Sequence, residues 1–203
     1  MILSNDDRGR IAYAIHSAEA HTSGQIVCVL AQSSSQSTSL PIVIASLVAL
    51  TTPWLLTSLT SMTVHRILSL QLFVFLLLIL FFCIPRVRVS LMPRKARRAL
   101  AHRAAMEQFI SRGIGRTAEQ PGILIFVSLA ERYARIVAAD GIAQRVPQTE
   151  WQSAVDVLTA HMRDGRITDG FISAINVCGE KLAMHFPNTG AADNRLPDRI
   201  YLI

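Results

Sequence analysis

Charged residues are scarce, 17% of the 203, and two long runs have none. Gly24 to Val64 holds no Lys, Arg, Asp or Glu, and neither does Ile67 to Pro85. With 51% hydrophobic side chains and a mean hydropathy of +0.36, this is not a disordered or solvating chain, which needs low hydropathy. Glycine and proline are sparse as well, at 10 and 8, which excludes collagen-like and linker-type chains. The three cysteines, Cys28, Cys83 and Cys178, stand far apart with no CxxC pair. They supply no disulfide framework and no zinc knuckle, and they fit a reducing compartment.

What charge there is lies beside the apolar block. Arg86 to Arg116 carries nine basic residues against Glu107 alone, a local net of +8 in a chain whose total is +6. Within the block, Leu40–Met62 and Ile67–Ile84 are 23 and 18 residues long. As helices they reach about 34 and 27 Å, enough for a hydrocarbon core of about 30 Å. Too little chain remains to bury two such helices in a soluble domain, so a transmembrane hairpin is expected. A signal peptide fits poorly, because the run begins near residue 40 without a basic leader. Pro53 interrupts the first span, where hydroxyls and a neighbouring helix can satisfy the freed backbone.

The basic flank predicts the topology. Lys and Arg within about 20 residues of a span favour the cytoplasmic side. The region after the second span is therefore expected there, and two spans return the N-terminus to the same side. Arg86, Arg88, Arg94, Lys95, Arg97 and Arg98 are expected to meet anionic lipid headgroups. Nucleic acid is not the expected partner, since no aromatics interleave with the arginines to stack bases.

The flanking segments read as α/β. Residues 4–21 form an amphipathic helix with Ser4 as cap and Asp7 as a capping-box partner. Gln25–Ala31 is a strand covered on both faces, followed by a polar link, Gln32–Ser39. Pro93–Arg112 is helical, Gly122–Leu129 and Tyr133–Ala138 form an antiparallel hairpin, and Asp140-Gly141 is a turn. Helices follow at about Gln148–Arg163 and Thr168–His185, and residues 187–203 form a polar tail whose last three residues dock back. A lone helix and strand bury no core. Residues 1–31 must therefore pack with 86–186, around the inserted spans at 40–62 and 67–84.

Catalytic signatures are few. Gly113-Ile114-Gly115-Arg116-Thr117-Ala118 spells GxGxxA, but it follows a helix and leads into a strand, the reverse of a dinucleotide site. There is no GxxxxGK[ST], GxSxG or HExxH. Asp140, Asp164 and Asp169 each lie in a turn beside glycine, where Ca²⁺ or Mg²⁺ could find oxygen ligands. Ordinary turn and helix-start chemistry explains the same residues. No cofactor is required. Cys28 and Cys178 read as small core residues.

Three stretches carry a family likeness: Ser23–Ala31 (SGQIVCVLA), Arg112–Trp151 (RGIGRTAEQPGILIFVSLAERYARIVAADGIAQRVPQTEW) and His161–Ile175 (HMRDGRITDGFISAI). In this order they resemble the TPM domain family over about residues 4–186. The likeness is to its bacterial predicted-membrane-protein branch, in which a two-span hairpin follows the first strand. The resemblance implies a small α/β sandwich, a sheet flanked by helices, with the transmembrane helical hairpin inserted. It also implies a bacterial inner-membrane location and a role in assembling or maintaining membrane complexes. For some members it implies acid phosphatase activity and divalent-cation binding. Gln120-Pro121-Gly122 and Gly141-Ile142-Ala143-Gln144 stand where many members carry acidic residues, while Asp164 and Asp169 match the family's acidic turn. The expectation is thus a membrane-anchored accessory module that modulates a membrane-protein partner, with a cation-dependent phosphatase as the alternative. A channel is disfavoured, because neither span holds an ionisable residue.

Overall fold

The computed structural model describes residues 3–33, 39–59, 63–82, 93–114, 122–188 and 197–203. The chain divides into two compact units, Met1–Ser34 with Ala99–Ile203, and Ser35–Arg98.

The first unit is built on a sheet of order β3-β2-β1-β4. Its strands are β1 (Gln25–Ala31), β2 (Gly122–Ser128), β3 (Tyr133–Ala138) and β4 (Ile200–Leu202). β1 and β2 are parallel over seven pairs from Gln25–Gly122 to Ala31–Ser128, so chain segments on either side of the apolar block lie side by side. β2 and β3 form the expected antiparallel hairpin. Every residue of β2 is buried, and all of β1 except Gln25, as continuous apolar strands covered on both faces must be.

Side chains alternate between two apolar layers. Ile26, Cys28, Leu30, Ile123, Ile125 and Val127 face helices α1 (Asn5–Glu19), α6 (Gln152–Arg163) and α7 (Ile167–His185). Val27, Val29, Ala31, Leu124 and Phe126 face Ala104, Ala105, Met106 and Phe109 of helix α4 (Arg94–Ser111), which belongs to this unit from Ala99 onward. Trp151 is the largest wholly buried side chain; it ends a 3-10 turn, Gln148–Trp151, that leads into α6. The expected single helix from Gln148 is therefore two elements.

α1 starts with the expected capping box. Ser4 Oγ accepts from the Asp7 N–H at 3.1 Å, and the Asp7 carboxylate accepts from the Ser4 N–H at 3.0 Å. The Ser4 hydroxyl also donates to Asp7 Oδ2 at 2.7 Å, and this bond, with that from the Ser4 N–H, holds the Asp7 carboxyl below its ordinary value. α1 and α7 run side by side in the same direction, with Arg10 beside Asp169 and Ala18 beside Gly179. Between α6 and α7, Gly165 takes φ +76°, the left-handed region that favours glycine.

Two local readings are corrected. Asp140-Gly141 is not a simple turn but opens a short helix, α5 (Asp140–Ala143), behind the extended Ala139, where an aspartate favours the helix start. The end of the polar tail docks back as expected, but as a strand, Ile200–Leu202, pairing in parallel with Cys28–Leu30. Three residues are too few for a periodic signal in sequence, and Ile200 alone of them is buried. The Arg112 and Arg199 guanidinium groups approach the Tyr201 ring at 3.5 and 4.7 Å, adding cation–π attraction.

The second unit contains α2 (Ser39–Leu59) and α3 (Val64–Phe82), which pack on each other. Ala45, Ala49 and Ile67 are buried, and the one-turn spacing of the alanines permits close helix approach. Leu47, Trp54, Leu55, Phe73, Leu76, Leu77 and Leu80 are exposed, the inverse of a soluble core. Around Pro53, Thr51, Thr52 and Thr57 donate their hydroxyls to carbonyls one turn back, so no hydroxyl among them needs water. Among the described residues, Val64–Phe81 is the one helix long and apolar enough to cross a membrane, and Ala45–Leu59 is a shorter apolar stretch. Cys83, Arg86 and Arg88, and Gln120-Pro121, lie outside the described residues.

The α1–α7 seam generates a prediction. A Cβ on Gly179 would sit 2.8 Å from the Ala18 Cβ, so Gly179→Ala forces the helices apart. It should destabilise the fold by about 1–3 kcal/mol, read as a lower urea midpoint of the full chain in micelles.

Candidate functional site

The turn aspartates are placed as follows. Asp164 is the residue capping the C-terminus of α6, and its Oδ2 accepts from Arg166 at 2.9 Å. Asp169, in the first turn of α7, accepts from Arg10 at 3.0 Å. Asp140 is exposed at the start of α5. Both ion pairs are largely solvated and contribute little stability, but each turns a carboxylate oxygen toward a guanidinium. Among the described residues, no three His, Cys, Asp or Glu side chains form a group able to hold a metal ion.

Two other carboxyl groups are drawn inside, and sequence reasoning missed both. Glu131, in the β2–β3 turn, is 6% exposed. It accepts hydroxyl bonds from Ser128 and, at 3.1 Å, from Ser33. These three residues sit where β1 and β2 end, and the next residue, Arg132, has a left-handed φ of +50°. Glu131 thereby joins the strand leading toward α2 to the β2–β3 hairpin.

The second is Glu19, the last residue of α1. Its Oε1 accepts the Ile26 N–H of β1 at 2.6 Å. Burial pushes this carboxyl up to about 8, opposed by the Ile26 bond and reinforced by neighbouring Asp198. The C-terminal end of a helix also disfavours an anion. Asp198 Oδ2 lies 3.0 Å from His16 Nδ1, one turn back along α1. A hint was present in the sequence, since an acid closing an amphipathic helix opposes the helix dipole. Its partner 179 residues away was not legible.

Cys28 and Cys178 belong to the same buried layer. Burial pushes both thiols up, and for Cys28 the nearby Cys178 and Glu19 add to the effect. Thiolate is thus suppressed at both, and neither has the depressed value a nucleophilic cysteine needs.

This arrangement is a mixed α/β fold, a four-stranded sheet flanked by helices, and its likeness to known proteins agrees. Residues 86–181 match the TPM domain. The NMR structure of the BA42 protein from the psychrophilic bacterium Bizionia argentinensis is similar, with a TM-score of 0.61 and 19% identity. That match covers 99% of this chain and 95% of BA42, and at this identity it bears on the fold alone. No curated protein matches.

Two predictions follow from these buried groups. Glu131→Ala removes the acceptor of two hydroxyls, one of them on wholly buried Ser128, and should cost about 1–3 kcal/mol in chemical denaturation. Cys28 and Cys178 should resist a water-soluble maleimide in the folded chain and react after denaturation, as counted by mass spectrometry.

Proposed function

We propose that this chain is a membrane-anchored TPM-domain accessory module of the bacterial inner membrane. It crosses the bilayer twice, presents both termini and the α/β unit to the cytoplasm, and holds or modulates a membrane-protein partner. The observation that carries this reading is the outward apolar surface of the α2–α3 pair, including Leu47, Trp54, Phe73, Leu76 and Leu77. The pair is inserted in the chain between β1 and β2, two strands of one sheet. Lipid is the solvent that makes such a surface favourable.

Arg94, Lys95 and Arg98 are exposed on the first turns of α4, as headgroup contact requires, and Arg97 is half-buried. Each basic side chain near an anionic surface contributes about 1 kcal/mol, so the run would hold the start of α4 at the cytoplasmic leaflet. The pairing of Asp164 with Arg166 and of Asp169 with Arg10 favours an interaction role over cation-assisted phosphate hydrolysis.

Reporters fused in turn to the two termini should both be active on the cytoplasmic side, and periplasmic activity of either would refute the topology. Replacing Arg86, Arg88, Arg94, Lys95, Arg97 and Arg98 by Gln should lower co-purified anionic lipid several-fold and yield mixed orientation. Crosslinking in intact membranes should capture a protein neighbour as well as lipid; lipid alone would remove the partner from the proposal.

A further inference from the structure

The outer edge of β1 is covered in pieces. β4 pairs with it only from Cys28 onward, through the Gln32 N–H to the Ile203 carbonyl at 2.9 Å and the Ile203 N–H to the Leu30 carbonyl at 3.1 Å. One step earlier along the same edge, the Ile26 N–H points at the Glu19 carboxyl in place of a strand carbonyl. The chain entering β4 brings Asp198 to that carboxyl, and His16 holds Asp198 from the other side. One acid side chain thus completes the ladder of β1 and touches the residue that leads into β4.

We propose that Glu19 is a proton-operated clasp: neutral, it bridges β1 and Asp198 and keeps β4 docked on the sheet edge; ionised, it releases β4. A neutral carboxyl accepts from the Ile26 N–H with one oxygen and donates its proton to the Asp198 carboxylate with the other. Loss of that proton leaves two adjacent carboxylates in a half-buried site, where their repulsion is poorly screened.

Among the described residues, the titratable and charged groups around this site are His16 on α1, the Cys28 thiol on β1 with Cys178 beyond it on α7, and Arg199, which follows Asp198 and lies over the Tyr201 ring. The thiols stay neutral, because burial raises them.

The sign is fixed by the direction of the Glu19 shift. The docked form holds its proton up to about 8, whereas the ordinary carboxyl value is 4.5. Docking is therefore tightest below the ordinary value and weakens as pH rises toward 8, by up to about tenfold per pH unit. Beyond the clasp, β4 is held by three ladder pairs, buried Ile200 and the contacts of Arg112 and Arg199 with the Tyr201 ring.

Hydrogen exchange of the full chain in micelles tests the clasp. After correction for intrinsic exchange, the Gln32 and Ile203 amides should lose at least about tenfold of their protection between pH 6 and 8.5, while β2 amides keep theirs. Glu19→Gln retains both bonds without a charge and should flatten that profile. Asp198→Asn, which removes the neighbouring charge, should lose less protection than the natural chain over the same interval. Carbon-13 NMR of the Glu19 carboxyl should place its titration within the interval of strand release. A profile in Glu19→Gln as steep as the natural one overturns the proposal, as does a β4 that stays protected while Glu19 titrates.

Discussion

The parallel pairing of β1 with β2 is the constraint on which the architecture depends. It unites Gln25–Ala31 with Gly122–Ser128, strands separated by the whole apolar block. Parallel neighbours require a crossover, and here the crossover holds α2, α3 and α4 in place of one ordinary helix. Both faces of the pair are apolar, so neither strand is stable in water alone; the two must be covered together. The hydrophobic layers beneath α1, α6 and α7 and beneath α4 follow from that requirement.

Sheet edges present the complementary problem, because an unpaired strand offers a row of donors and acceptors to any passing chain. Side chains take up part of this role at each edge. Glu19 occupies the Ile26 N–H on the β1 side, and the Gln148 amide donates to the Ile136 carbonyl of β3 at 3.1 Å. Gln148 carries no titratable group, whereas Glu19 does. The chemical difference between an amide and an acid is what distinguishes a permanent cover from a conditional one.

Much of the fold was legible in the residues because its signals are local. The apolar runs QIVCVLA and GILIFVS are too dense for alternation and became the two central strands, and Ser4 with Asp7 marked the start of α1. β4 escaped because three residues carry no period, and its docking depends on the exposed edge of a strand far away in the chain. The buried acids escaped for the same reason. Ser33 is 98 positions from Glu131, and His16 is 182 from Asp198, so no spacing rule links them. The aspartates beside glycine drew attention because their pattern is short, and in the folded chain Asp164 and Asp169 meet arginines.

The split origin of the sheet governs the order in which this polypeptide can acquire structure during synthesis. When Ala31 has just been added, the segment that will flank Gln25–Ala31 is still about ninety codons from being translated. For several seconds, at about 5–20 residues per second, an apolar strand and an amphipathic helix remain without a mate. The greasy middle emerges in that interval, so the opening residues must be kept from collapsing onto it or onto neighbouring chains. Slow translation across Leu40–Ile84 would therefore be the nascent chain's most vulnerable moment.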